Sequence, residues 1–206
     1  MKLTVVSAGT TSPSSTRLLA DRLTESVTKQ LGEAGETLEV HVVELRDVAV
    51  DIAKNMVTGF ASPALQAEID AVTGADGVIA VTPIYSASYS GLFKSFFDVI
   101  DNGALSGVPV LMGATGGTPR HSLALEHALR PLMSYLRAAV TPTAVYAASQ
   151  DWGGTDAGEL HGRIERAAGE LAALMTGTPN NSRAADPFTD VVPFDQQLAH
   201  LGQLDV

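Results

Sequence analysis

A continuous apolar run at Val78–Val81 constrains the fold of this chain more than any other feature. A strand with one face in water alternates apolar and polar residues, so an unbroken run indicates a strand that is covered on both faces, as in a parallel sheet. In such sheets ligands bind outside the carboxyl ends of the strands. The polar and aromatic residues Thr82–Ser86 follow the run directly, and we therefore expect them at a binding edge.

The remaining sequence alternates strand and helix patterns, which predicts an α/β domain with a doubly wound, five-stranded parallel sheet and helices on both faces. The predicted strands are Leu3–Ser7, Thr37–Leu45 near the sheet edge, Gly77–Val81, Val108–Gly113 and Val140–Ala147. The predicted helices are Ser14–Leu31, Ala64–Val72, Gly91–Ile100, Leu123–Ala138, which Pro131 kinks or divides, and Glu159–Met175. Residues 46–62 show no clean period.

The chain divides at about residue 175 by composition. Residues 1–175 carry the strand and helix patterns, whereas residues 176–206 are rich in Pro, Asn, Asp and Gln. We therefore predict one domain over 1–175 and a C-terminal extension over 176–206 that packs on the domain or on a neighbouring subunit, or covers the ligand.

Composition excludes several kinds of chemistry. The chain has no cysteine, so disulfides, thiolate catalysis and iron–sulfur clusters are excluded, and redox chemistry requires a cofactor. Its five histidines show no ligand spacing, so we assign no metal. A net charge of −10 disfavours nucleic acid and anionic membranes as partners. With an N-terminal apolar stretch too short for a signal sequence or membrane span, we expect a soluble, cytoplasmic protein.

The loop after the first strand predicts an anion site. Seven hydroxyl residues lie between Ser7 and Thr16, just before a helix whose first turn offers free N–H groups and a favourable dipole. Ser12, with Pro13 behind it, is a candidate N-cap. Neither the dinucleotide fingerprint nor the Walker loop is present, which leaves a hydroxyl-lined cradle for a monophosphate.

Two further loops follow the third and fourth predicted strands and should meet the first loop at the switch point of the sheet. The loop Thr82–Ser90 combines a rigid Pro83 with Tyr85, Tyr89 and small residues that let a flat ring approach the backbone. The glycine-rich loop Gly113–Pro119 permits close approach of backbone amides to a ligand.

Three motifs resemble the NADPH-dependent FMN reductases of the flavodoxin-like fold, particularly the branch that supplies reduced flavin to two-component monooxygenases. They are SSTRLLA at Ser14–Ala20, TPIYSASYSGLFKSFFD at Thr82–Asp98 and ATGGTPRHSLALEHALRPL at Ala114–Leu132. The resemblance implies FMN and NADPH or NADH as cofactors, a homodimer or homotetramer, and a monooxygenase partner. Many members carry a Gly-Ser-x-Arg loop, whereas Ser7–Thr10 lacks that arginine, so the phosphate must rely on hydroxyls and amides, with Arg17 as a further candidate.

By resemblance, the phosphate of FMN lies against the hydroxyls of the first loop, the ribityl chain and ring against the second, and the isoalloxazine against the third. The first-loop residues are Ser7, Ser12, Ser14, Ser15 and Thr16. The residues of the other two loops are Pro83, Ile84, Tyr85, Ser86, Thr115, Gly116 and Gly117.

The sequence shows no convincing acid, base or nucleophile, and we assign no catalytic side chain. Hydride transfer from nicotinamide to flavin N5 needs none, because the cofactors react while the protein aligns their rings. Two alternatives remain open. One is a quinone or azo-dye reductase that retains FMN, and the other is a flavodoxin-like electron carrier that does not bind nicotinamide.

Overall fold

The computed structural model describes residues 1–153 and 157–177, and within them the strands form one seven-stranded sheet. The strands are β1 Lys2–Ser7, β2 Glu39–Glu44, β3 Gly77–Tyr85, β4 Ser88–Tyr89, β5 Pro109–Gly116, β6 Ala139–Val140 and β7 Val145–Ala148. The order is β2-β1-β3-β5, with β6 and β7 both paired to β5. All these pairings are parallel, and only β4 runs antiparallel, against β3.

The predicted doubly wound parallel sheet is confirmed, and β2 lies at its edge as expected. The fifth predicted strand is broken into β6 and β7, because Pro142 has no N–H to donate to a ladder. Glu170 instead accepts hydrogen bonds from the Thr143 N–H at 2.6 Å and from its hydroxyl at 2.7 Å. Taken as one interrupted strand, β6 and β7 complete the 2-1-3-4-5 order of flavodoxin-like sheets.

Helices cover both faces of the sheet. The helices are α1 Ser15–Glu33, α2 Ala49–Thr58, α3 Pro63–Thr73, α4 Gly91–Asp98, α5 Arg130–Tyr135 and α6 Ala157–Thr176. One apolar core lies between the sheet and α1 with α6, and the other lies between the sheet and α2 to α5. The second core contains the fully buried rings of Phe93, Phe96 and Phe97, which contact one another at centroid distances of 4.7 and 5.4 Å.

The structure adds one helix to those predicted and divides another. Helix α2 falls in residues 46–62, where no period was visible, because Ile52 is its only buried residue while Val50, Met56 and Val57 are exposed apolar residues. The helix predicted over Leu123–Ala138 is divided, which was one of the two outcomes expected at Pro131, into a π-helical turn at Leu125–Leu129 and the short α5. Pro131 lies in the first turn of α5, where its missing N–H costs little.

Thr176 and Gly177 are the last described residues of the chain, so the predicted extension lies otherwise outside the described residues. None of the helices in the described part of the chain combines the length and the hydropathy required to cross a bilayer.

Candidate functional site

The first loop connects β1 to the amino end of α1. The N-cap of α1 is Ser14, whose hydroxyl accepts a hydrogen bond from the Arg17 N–H at 3.3 Å. The expectation that Ser12 caps the helix is therefore wrong, since Ser12 and Pro13 precede the cap and Ser12 is exposed. No acidic residue occupies the first turn of α1, so its N–H groups and dipole are available to an anion.

Gly9 allows this loop to fold back onto the start of the helix. A Cβ atom placed on Gly9 would lie 2.2 Å from the Ser14 hydroxyl oxygen, which no real contact tolerates. The loop is also held from outside, where the Arg46 guanidinium donates to the Thr11 carbonyl at 3.0 Å. Position 9 therefore requires glycine for steric reasons. The sequence did not predict this requirement, although a glycine within a hydroxyl-rich turn could have indicated it.

The second loop is shorter than the sequence suggested, because β3 continues to Tyr85 and forms a hairpin with β4. Ser86 and Ala87 make the turn with φ values of 48° and 69°, as the two central positions of a tight hairpin require. The buried Thr82 hydroxyl accepts from the Ser90 N–H at 3.0 Å and so ties the hairpin to the strand. This extension places Pro83 beside Thr115 in register on β5.

Side-chain hydrogen bonds join the three loops. The Thr16 hydroxyl in the first turn of α1 lies 2.9 Å from the Thr115 hydroxyl at the end of β5, and both residues are buried. The Thr10 hydroxyl lies 3.1 Å from the hydroxyl of the half-exposed Tyr85. The first loop thus contacts the second through one hydroxyl pair and the third through another.

These loops enclose a cavity of about 200 Å³ at the carboxyl edge of the sheet. Nine of the twelve predicted site residues line it: Ser14, Ser15, Thr16, Pro83, Ile84, Tyr85, Thr115, Gly116 and Gly117. The other lining residues are Gly9, Thr10, Thr11 and Ser149. Ser149 follows β7, a strand whose loop sequence reasoning did not consider, although the fifth strand of such a sheet ends at the same edge.

Three predicted site residues do not line the cavity. Ser86 is exposed in the hairpin turn, and Ser12 is exposed on the outer part of the first loop. Ser7 is fully buried at the end of β1, and its hydroxyl has no hydrogen-bond partner among the described residues. The three serines therefore flank the cavity.

Of the thirteen described residues that line the cavity, none is charged and eight carry a hydroxyl. Arg17, the nearest cation in the sequence, donates from Nε to Asp21 at 2.7 Å and from one terminal nitrogen to Glu44 at 2.6 Å. The hydrogen bond to Asp21, followed by that to Glu44, raises the pKa of this guanidinium. The cavity can therefore bind an anion through hydroxyls, amides and the dipole of α1.

A larger groove of about 730 Å³ lies elsewhere, between α2, α4 and α5. It contains the ion-paired Lys94 and Asp98 and none of the residues of the three loops. Size alone would favour this groove, but the convergent hydroxyls and the helix amino terminus favour the smaller cavity as the binding site.

The donor set fits a flavin mononucleotide. A monophosphate matches free N–H groups and hydroxyls at a helix start, and the backbone next to Gly116 and Gly117 leaves room for a flat ring. The position also matches the switch point between β1 and β3, where flavodoxin-like sheets bind their ligand.

Comparisons with known proteins identify the family of the chain. The family model for NADPH-dependent FMN reductase matches residues 1–153. An FMN reductase (NADPH) of Pseudomonas aeruginosa is 39% identical over 180 residues, 85% of this chain and 93% of that protein. The NADH-dependent FMN reductase SfnF of Pseudomonas fluorescens is 38% identical over 180 residues, 86% of this chain and 93% of that protein.

Solved structures give the same result. An oxidoreductase from Corynebacterium diphtheriae superimposes with a TM-score of 0.84 at 46% identity, covering 86% of this chain and 98% of its own. The apo form of the NADH:FMN oxidoreductase EMOB superimposes with a TM-score of 0.69 at 26% identity, covering 88% and 91% of the two chains. The chain belongs to the NADPH-dependent FMN reductase family, and it is an oxidoreductase that uses FMN and a reduced nicotinamide nucleotide.

Proposed function

We propose that this protein reduces free FMN with NADPH or NADH and releases the reduced flavin to a flavin-dependent monooxygenase. The observation that carries the proposal is the small uncharged cavity formed by three loops at the switch point of the sheet. One related protein is named for NADPH and another for NADH, so both donors belong in the proposal.

In this proposal the phosphate of FMN lies at the amino end of α1 against Ser14, Ser15 and Thr16. The ribityl chain and one edge of the ring lie along Pro83–Tyr85, and the ring faces the backbone of Thr115–Gly117. All of these residues line the cavity. The flanking residues Ser7, Ser12 and Ser86 remain predicted contacts.

The size of the cavity supports release of the flavin. Sites that enclose a drug-sized ligand have volumes of about 300–1,000 Å³, whereas this cavity measures about 200 Å³. It therefore fits the phosphate and ribityl end, and leaves the isoalloxazine at the rim beside the half-exposed Tyr85. A ring with one open face is accessible to nicotinamide and dissociates more readily than an enclosed one.

FMN bound as the substrate would supply the electron acceptor for a hydride from the nicotinamide, with the accompanying proton coming from solvent. The balance is NAD(P)H, FMN and one proton to NAD(P)⁺ and reduced FMN. In this proposal the first turn of α1 positions the phosphate, and Pro83–Tyr85 and the Thr115–Gly117 backbone position the ring. None of these roles requires a charged side chain, in agreement with the uncharged lining.

We further propose that the enzyme is a cytoplasmic homodimer or homotetramer whose interface includes the groove between α2, α4 and α5. Met56 and Tyr135 line this groove and are exposed apolar side chains. Scattered apolar residues are common at protein surfaces, but a cluster beside a groove supports an interface. Light scattering at several protein concentrations tests the assembly.

Steady-state oxidation of NADPH and of NADH, with and without added FMN, tests the proposed function. We expect oxidation that depends on added FMN and saturates with it, and FMN that separates from the protein on gel filtration. A quinone-type reductase would instead elute with FMN and prefer a quinone to free flavin. A carrier would oxidise neither nucleotide and would form a stable semiquinone on stepwise reduction, and either result would contradict the proposal.

A further inference from the structure

Tyr146 on β7 lies directly behind the third loop of the cavity. Its ring is buried, with 7% of the residue exposed, and its hydroxyl donates a hydrogen bond to the Thr118 carbonyl at 2.8 Å. Ala114 on β5 is its partner in register, so the ring extends past that strand toward the loop that follows it. A strand outside the three loops thus holds one of them through a single hydroxyl.

The same hydroxyl fills the space where a side chain on Gly116 would lie. A Cβ atom on Gly116 would be 2.1 Å from the Tyr146 hydroxyl oxygen and 3.1 Å from the ring carbon that bears it. Glycine is therefore required at position 116 because of this tyrosine. At Gly117, by contrast, a Cβ atom would meet nothing within 4 Å.

The surroundings of Tyr146 keep its hydroxyl protonated. Burial raises the pKa of the phenol, and the negative charge of Asp151 adds to the effect. Asp151 is itself fixed, since its carboxylate accepts a hydrogen bond from the Ala148 N–H at 2.8 Å. Arg163 is the cation beside this carboxylate, at 3.6 Å. The hydroxyl thus remains a donor to Thr118 throughout the neutral pH range.

We propose that Tyr146 is a positioning residue for flavin binding. Its hydroxyl fixes the Gly116–Thr118 backbone in the position against which the isoalloxazine ring binds. The inference rests on the proposed function, because it assumes that FMN lies against this loop. It assigns a role to a side chain that does not line the cavity and that no motif of the sequence indicates. The hydroxyl acts through the loop and does not contact the flavin.

The test is a cycle of the variants Tyr146→Phe, Gly116→Ala and both together. Loss of the hydrogen bond in Tyr146→Phe should raise KM for FMN about 3- to 10-fold, with KM for the nicotinamide nucleotide and kcat nearly unchanged. Gly116→Ala alone should raise KM for FMN by more than about tenfold, because the loop must move away from the hydroxyl. In the double variant the hydroxyl is gone, and the closest remaining contact of the alanine Cβ is the ring carbon at 3.1 Å. KM for FMN should therefore rise by less than about threefold beyond its value in Tyr146→Phe alone.

Thr28→Val is the matched control, since it removes a hydroxyl that donates to a carbonyl, at an exposed position of α1 outside the cavity. FMN affinity is measured independently by quenching of flavin fluorescence, and folding by thermal melting. If Gly116→Ala fails to fold, recovery of a folded, FMN-binding protein in the double variant is the expected outcome and supports the same steric argument.

The inference would be overturned if Gly116→Ala raised KM for FMN by the same factor in the protein with Tyr146 and in the Tyr146→Phe variant. A Tyr146→Phe variant that melts at a lower temperature but binds FMN as tightly as the unchanged protein would also overturn it, since that result indicates a structural role alone. Failure of the proposed function is a separate result, in which the unchanged protein neither binds FMN nor oxidises NAD(P)H with it.

Discussion

Removing the hydroxyl of Thr16 should destabilise the protein by leaving a second buried hydroxyl without its partner. Thr16 and Thr115 are 2% and 3% exposed, and their hydroxyls lie 2.9 Å apart between the first turn of α1 and the end of β5. Thr16→Val keeps the shape of the side chain and replaces its hydroxyl with a methyl group. The Thr115 hydroxyl then faces a methyl group in the place of its partner.

The magnitude follows from the cost of an orphaned polar group. One hydrogen bond contributes about 0.5–1.5 kcal/mol net, and a buried donor or acceptor that loses its partner costs about 1–3 kcal/mol. We therefore expect Thr16→Val to lower the free energy of unfolding by about 1–3 kcal/mol. The double variant with Thr115→Val should lose less than about 1 kcal/mol, because two methyl groups of the same shape leave no polar group unsatisfied.

Urea denaturation followed by circular dichroism measures these differences. FMN is left out and the protein concentration is held constant, because ligand binding and oligomerisation both shift apparent stability. Thr28→Val is the matched control, since Thr28 lies exposed on the same helix and its hydroxyl donates to the Thr24 carbonyl of the preceding turn at 2.8 Å. The control should stay within about 0.5 kcal/mol of the unchanged protein.

Two results would refute this reasoning. The first is a Thr16→Val variant as stable as the Thr28→Val control, which would mean that water satisfies the Thr115 hydroxyl. The second concerns the free energy of unfolding of Thr16→Val, of Thr115→Val and of the double variant. If the double variant loses the sum of the two single-variant losses, the hydroxyls are not coupled.

Three other substitutions have definite expected outcomes. Gly9→Ala should displace the Ser14 cap, lower the free energy of unfolding by about 1 kcal/mol and weaken FMN binding in a fluorescence titration. Gly162→Ala, on an open and exposed position of α6, should raise the melting temperature and stabilise by up to about 1 kcal/mol. The hydrogen bond from Arg130 lowers the pKa of Glu126, so this pair stabilises above the ordinary value of 4.5 and loses its effect as the pH falls below it. Glu126→Gln should therefore lower stability by a few tenths of a kcal/mol in denaturation curves at pH 7 and have no such effect well below pH 4.5, and the effect is small because the pair is partly exposed.

The convergence of the three loops was predictable because strand burial determines topology. The unbroken apolar run at Val78–Val81 requires cover on both faces, which implies parallel strands with their carboxyl ends at one edge. The second and third loops, which lie about 70 and 100 residues after the first, then meet it at this edge although no local sequence pattern predicts the contact. Thr16 and Thr115, for example, are hydrogen-bonded across a separation of 99 residues.

The details that the sequence did not reveal depend on tertiary contacts. Ser12 and Ser14 are equivalent as N-caps in local sequence, and the close approach of Gly9 to Ser14 is visible only in the folded loop. Helix α2 buries a single apolar side chain, Ile52, and exposes Val50, Met56 and Val57, so its apolar residues do not mark one buried face. The role of Tyr146 depends on the register of β7 with β5, which no pattern within either strand specifies.

Under the proposed function, the uncharged lining of the cavity favours release of the reduced flavin. A chain with a net charge of −10 repels a phosphate ester at long range, so binding must come from short-range donors. Arg17, at the start of α1, is neutralised by Asp21 and Glu44 rather than directed into the cavity. A phosphate held by hydroxyls and amides lacks the charge-assisted, two-point contact that an arginine fork provides. Such a site favours a flavin that binds, is reduced and leaves over one that stays, and this agrees with a cavity too small to enclose the ring.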